Sequence, residues 1–101
     1  MHIAVTGGNG TVDGRTRTYI ESRLFNTLRP IVRDIRRIGV SLSDHSIDMP
    51  PTVTCRIVLD FTSGEQIVAL ATADWPYAAI DEAVRKAWKE APTRAREPAY
   101  S

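Results

Sequence analysis

A chain of 101 residues with 43% hydrophobic and 25% charged side chains has the make-up of one globular domain with its own core, about 60–65% of its unfolded surface being buried on folding. Its formal net charge of +1 hides an uneven distribution: Arg15–Arg37 holds seven basic residues against Glu21 and Asp34, and Arg85–Arg96 holds five against Glu90 alone. No apolar run reaches the ~18 residues of a membrane span, the opening MHIAVTGG is too short and too polar for a secretory signal, and the single Cys55 excludes an internal disulfide, so a reducing, cytoplasmic setting is expected.

Ile3 and Val5 alternate within His2–Thr6 and predict a short first strand. TGGNG (Thr6–Gly10) reads as a turn, since it lacks the lysine and hydroxyl of a phosphate-binding loop and the full dinucleotide pattern. Asp13 is the expected N-cap of the segment that follows. From Arg15 to about Ile35, the residues Ile20, Leu24, Leu28, Ile31 and Ile35 recur at helical spacing as one apolar stripe. Arg15, Ser22, Asn26, Arg29 and Arg33 occupy the opposite pole, with Arg23 on the flank. Pro30 removes a hydrogen bond from this helix and predicts a kink or restart near Arg29.

Ile38, Val40 and Leu42 alternate as a second strand, and Ser43–Pro51 is expected to be a polar loop. Val53, Cys55, Ile57, Leu59 and Phe61 share one side of a third strand. Thr54, Arg56 and Asp60 face the other way, as in a sheet with one wet face. Thr62–Glu65 is a hairpin turn with Gly64 available for positive φ, and Gln66–Thr72 returns as the fourth strand. The last helix starts near Trp75 or Pro76, with Asp74 as N-cap. Ile80, Val84, Ala87, Trp88 and Ala91 form its expected buried stripe, while Glu82, Arg85, Lys86 and Lys89 point outward. Pro92 ends it. Residues 1–91 are thus the expected domain and 92–101 a flexible tail.

The resulting order, β-α-β-β-β-α, predicts an α+β fold: a four-stranded sheet with two helices packed on one face, because each helix has a single apolar stripe to cover. Chemistry is sparse. The two histidines, His2 and His45, lie at the start of the chain and in a loop, and Cys55 lies on the apolar side of a strand as a structural thiol. No set of Cys and His has zinc spacing. No catalytic residue, metal or cofactor is therefore expected. A metal held in the loop by Asp44, His45 and Asp48, and an enzyme acting through the His45 loop, are the remaining chemical readings. The strongest feature is the basic helix pair. Arg23, Arg29 and Arg33 lie on the first helix and Arg85, Lys86 and Lys89 on the second. Together they make a cationic face suited to RNA phosphates, with two solvated helix surfaces as the plainer alternative. Trp88 is assigned to the core. Tyr77 and Trp75 are assigned to packing at the sheet edge, with base stacking as the alternative.

Several stretches are similar to one known family. IAVTGGN (Ile3–Asn9) is similar to its I-x-V-T-G-x-N opening. YIESRL (Tyr19–Leu24) and IRRIGVSLSD (Ile35–Asp44) resemble its first helix and second strand. CRIVLDFTSGEQIVA (Cys55–Ala69) resembles its central strand-turn-strand, and DWPYAAIDEAVRKAW (Asp74–Trp88) its D-x-YAAID signature. The chain therefore resembles the ribosome hibernation-promoting factor and ribosome-associated inhibitor (sigma-54 modulation) family in its short form, over about Ile3–Lys89.

The resemblance implies a fold like the double-stranded RNA-binding domain. It also implies a non-enzymatic stress-response factor that binds small-subunit ribosomal RNA in the decoding channel and inhibits translation by idle ribosomes. Lys86 matches the lysine after YAAID, Lys89 a basic position one turn on, and Arg23 a basic position in the first helix. Arg85 stands where an acidic residue is common, Pro92 shortens the last helix, and the dimerisation domain of long members is not expected. The alternative is a divergent member that acts as a protein-interaction or regulatory module without ribosome binding.

Overall fold

The computed structural model describes residues 2–7, 12–45, 47 and 49–91. The expected turn beyond Gly7, residues 46 and 48 of the loop, and the tail with Pro92 lie outside the described residues. The order of elements is β1 (His2–Gly7), α1 (Gly14–Leu28), a 3-10 helix (Arg29–Asp34), β2 (Ile35–His45), β3 (Thr52–Phe61), β4 (Gln66–Ala73) and α2 (Pro76–Glu90). This is the expected α+β arrangement. The strands lie in the order β1-β2-β3-β4, with β1 parallel to β2 and the other pairs antiparallel.

Local chemistry sets the boundaries of the first helix. Asp13 is extended (φ −99°, ψ −177°) and its carboxylate accepts the Thr16 amide at 2.8 Å, which caps α1. That bond to the Thr16 amide holds the Asp13 carboxyl below its ordinary range. The α-helix stops at Leu28, and Pro30 sits in the first turn of the tighter helix that follows, so the chain restarts at Arg29 as expected. The apolar stripe survives the break, because Ile20, Leu24, Leu28 and Ile31 are all buried. Ile35 is buried too, but it is the first residue of β2 rather than the end of a helix.

β2 is longer than the alternation at Ile38–Leu42 indicated. Ser43, Asp44 and His45, expected in a loop, pair with Thr54, Val53 and Thr52, because β3 is long enough to partner them. The β3–β4 turn carries Gly64 at φ +96°, where the missing Cβ relieves strain, and Gly64 donates its amide to the Phe61 carbonyl at 2.9 Å.

One face of the sheet forms the core. Ile38, Val40 and Leu42 on β2 lie beside Cys55, Ile57 and Leu59 on β3, and Ala69 and Ala71 complete the face on β4. Each wholly buried Ile or Leu contributes about 1.5–3 kcal/mol relative to exposure. The opposite face, with Arg56, Val68 and Leu70, is exposed.

α2 lies over β3 and β4. Its closest side is Ala79, Ala83 and Ala87, spaced four apart and wholly buried, and β4 offers Ala69 and Ala71 in turn. Small side chains on both surfaces let the helix backbone approach the sheet. The N-cap of α2 is Trp75 rather than Asp74, and no side chain caps it. Pro76 forces the residue before it into an extended conformation, observed at φ −136° and ψ +131°, so Trp75 becomes the half-helical residue.

β1, β2 and β4 run in one direction, so the helices that follow or connect them lie side by side and parallel. Tyr19 meets Tyr77, and one turn further Arg23 meets Asp81. No helix among the described residues is long and apolar enough to cross a membrane.

Candidate nucleic-acid interface

The parallel alignment of α1 and α2 positions the side chains on their outer surface. At the N-terminal end the Tyr19 and Tyr77 rings stack with centroids 4.2 Å apart and planes 6° apart, and Trp75 stands edge-on to Tyr77 at 6.0 Å. One turn further, Asp81 Oδ1 accepts both the Tyr19 hydroxyl at 2.6 Å and Arg23 Nε at 2.9 Å. The carboxylate beside Tyr19 pushes its hydroxyl pKa above the ordinary tyrosine value.

This accounts for the YAAID segment in physical terms. Tyr77 stacks on α1, Ala79 and Ile80 are buried, and Asp81 ties the two helices together.

Arg23 and Arg85 come together. Both line a groove of about 420 Å³ between the helices, with Thr27, Asp81, Glu82 and Trp88. Each arginine carries an acidic partner. Arg23 pairs with Asp81, the two side chains being 41% and 42% exposed, and Arg85 Nη2 donates to Glu82 Oε1 at 2.6 Å across one turn of α2. The Arg85 guanidinium holds the Glu82 carboxyl below its ordinary range, and the carboxylate in turn raises Arg85.

The other four candidates lie elsewhere. Arg29 is exposed, with its guanidinium 5.4 Å from the centre of the Phe25 ring. Arg33 is exposed on the 3-10 helix, and Lys89 is exposed one turn beyond Arg85. Arg29 is the C-cap of α1, Arg33 lies in the last turn of the 3-10 helix and Lys89 in the last turn of α2, ends where the helix dipole favours cations. Lys86 points the other way, and its amine donates to the Leu70 carbonyl at 3.0 Å on the outer edge of β4. A lysine there also blunts an open sheet edge.

Across Gly14–Asp34 and Pro76–Glu90 there are eight basic and five acidic residues, so the helical layer is cationic. Arg36 and Arg37, counted with the first basic segment in the sequence, belong to β2.

Two features escaped the sequence. Trp88 is half-buried in the inter-helix groove, not part of the central stripe, which Ala79 and Ala83 complete instead. Its place eight residues after Ile80, about 80° round the helix, was the available signal. The acidic partners were the other omission. Glu82 and Arg85 at i, i+3 are readable as a pair, whereas Asp81 with Arg23 needs the relative register of two helices.

Cys55 is buried and its thiol is pushed up to about 12 by desolvation, which keeps it protonated. His45 Nε2 lies 3.2 Å from Thr54 Oγ1, which lies 2.8 Å from Thr72 Oγ1 on the open face of the sheet. Among the described residues no group of three or more His, Cys, Asp or Glu is placed to hold a metal ion.

Residues 3–90 match the family model of the sigma 54 modulation protein / S30EA ribosomal proteins. The fold is similar to that of a ribosomal subunit interface protein from Coxiella burnetii, with a TM-score of 0.81 and 20% identity over 96% of this chain and 100% of the other. It is also similar to the N-terminal domain of Protein Y from Thermus thermophilus, with a TM-score of 0.71 and 25% identity over 89% of this chain and 94% of that one. No curated protein matches the chain.

Proposed function

The chain belongs to the sigma 54 modulation protein / S30EA ribosomal protein family, and from that premise we propose that it is a ribosome-associated factor which seats on small-subunit ribosomal RNA and inhibits translation by occupying the decoding channel. The observation that carries this reading is the cationic outer surface of two parallel helices. Arg23 and Arg85 line its groove, Arg29 and Arg33 follow the C-terminal end of α1, and Lys89 lies in the last turn of α2.

The chemistry asked of this surface is modest. Phosphate contacts from Arg and Lys supply affinity without reading sequence. Arginine offers a planar donor fork to phosphate oxygens, and Lys86 adds charge from the β4 flank. The mechanism is steric exclusion, so no catalytic group is required.

Charge reversal tests the surface. Arg85→Glu, Lys86→Glu and Lys89→Glu together alter only exposed positions, so the fold is retained. The expected result is loss of co-sedimentation with small ribosomal subunits and an unchanged circular dichroism spectrum. A triple variant that still co-sediments would show that this face is not the contact.

One observation favours a second reading, a protein-interaction module without ribosome binding. Both groove arginines are already paired with carboxylates, which lowers the charge available to RNA. Binding through such an interface would show little dependence on salt.

A further inference from the structure

The groove between α1 and α2 has a chemistry different from that of the surface around it. Two guanidiniums and two carboxylates line it, paired as Arg23 with Asp81 and Arg85 with Glu82, so it is locally neutral. A phosphate entering it would gain little, because each arginine already donates to an oxygen anion. The indole of Trp88 forms part of its wall and is only partly buried. The core does not depend on full burial of that ring, since Ala79, Ile80, Ala83, Val84 and Ala87 already cover the sheet. A partly exposed tryptophan in a neutral cleft that two arginines also line is matched to a flat, uncharged, π-faced ligand.

We infer that this groove takes one unstacked nucleobase of single-stranded RNA, laid against Trp88 between Arg23 and Arg85. The inference rests on the ribosome-association reading and adds to it. The outer cations hold phosphates, and the groove holds a base. Stacking on an indole is tolerant of base identity, so the groove grips RNA without selecting a sequence. Trp88 is then a ligand-binding residue, and the pairs Arg23–Asp81 and Arg85–Glu82 line the cleft and keep it neutral.

Fluorescence tests this directly. The chain has two tryptophans, so Trp75→Phe leaves Trp88 as the sole indole. The Trp75→Phe protein is titrated with adenosine and uridine hexaribonucleotides and with protein-free small-subunit ribosomal RNA. Saturable quenching of Trp88 by each is expected. In the same background, Trp88→Leu should weaken binding roughly 5- to 150-fold while the slope of affinity against salt stays unchanged, and Trp88→Phe should retain most of the affinity.

Binding without quenching, or full-strength binding by Trp88→Leu, overturns the base site and leaves the ribosome reading standing. Quenching by intact subunits but not by protein-free ribosomal RNA also overturns it, since the groove would then hold a protein. Failure to bind any RNA or subunit overturns both readings. Quenching and the Trp88→Phe variant decide the matter even if Trp88→Leu does not fold.

Discussion

Tyr19 and Asp81 lie 62 residues apart in the chain, and the Tyr19 hydroxyl donates to Asp81 Oδ1 at 2.6 Å. The same oxygen accepts Arg23 Nε at 2.9 Å, so a single carboxylate on α2 fixes two side chains one turn apart on α1. This clamp sets the register of the two helices and therefore the layout of the basic surface. Removing the hydroxyl by Tyr19→Phe leaves the stack on Tyr77 and deletes one partly buried hydrogen bond, at a cost of about 1 kcal/mol. Denaturant unfolding should show that loss with an unchanged m-value, and a variant as stable as the parent would remove the clamp from the account.

The alkaline limb of stability should be set in part by Cys55. Burial pushes its folded pKa above the ordinary thiol range, up to about 12. A thiol whose folded pKa is raised favours the folded state below the unfolded pKa, and that contribution is lost as pH rises towards the folded value. Unfolding free energy should therefore fall from about pH 9 upward, less steeply in Cys55→Ala. At neutral pH a thiol reagent should label Cys55 only at the rate of unfolding. Rapid labelling of the native protein would contradict its burial.

The approach of α2 to the sheet depends on alanine. Ala83 is wholly buried, midway along the Ala79–Ala87 row that lies over β3 and β4. Ala83→Leu adds three carbons where there is no room and should cost at least about 1–3 kcal/mol through overpacking. The thermal midpoint measures it, and a neutral effect would mean that the helix does not rest on the sheet there.

How far these features were readable from the chain depends on whether the signal is local. The order of elements was legible because Ile20, Leu24 and Leu28 repeat at helical spacing, because Val53 to Phe61 alternate, and because Pro30 and Gly64 punctuate as proline and glycine must. The end of β2 was not legible, since Ser43–His45 are polar and become strand only because Thr52–Thr54 are opposite them. The N-cap of α2 was misplaced by one residue because Asp74 is a good capping type, while the conformational constraint comes from Pro76 acting on Trp75. Trp88 was assigned to the core from its place on the apolar stripe, and it does pack against the core, but only partly buried and with its remaining surface in the groove. The six basic residues were named from the sequence, but the pairing of Arg23 with Asp81 depends on the relative register of two helices.

The pairing of Arg85 with Glu82 yields a prediction about affinity. Glu82→Gln frees the Arg85 guanidinium from a carboxylate 2.6 Å away. If Arg85 meets RNA phosphate, the variant should bind small ribosomal subunits more tightly than the parent, and its log–log salt slope should steepen by up to about 1. Filter binding across a salt series reads both quantities. Unchanged affinity and slope would place Arg85 away from the RNA.

The most direct test of the central claim is co-sedimentation of the purified chain with small ribosomal subunits at about 50 and 200 mM salt. A face making about four phosphate contacts should bind at the lower concentration and lose ~10²-fold or more in affinity at the higher. No association at the lower concentration, or association equal at both, would contradict the claim that this cationic surface seats the protein on ribosomal RNA.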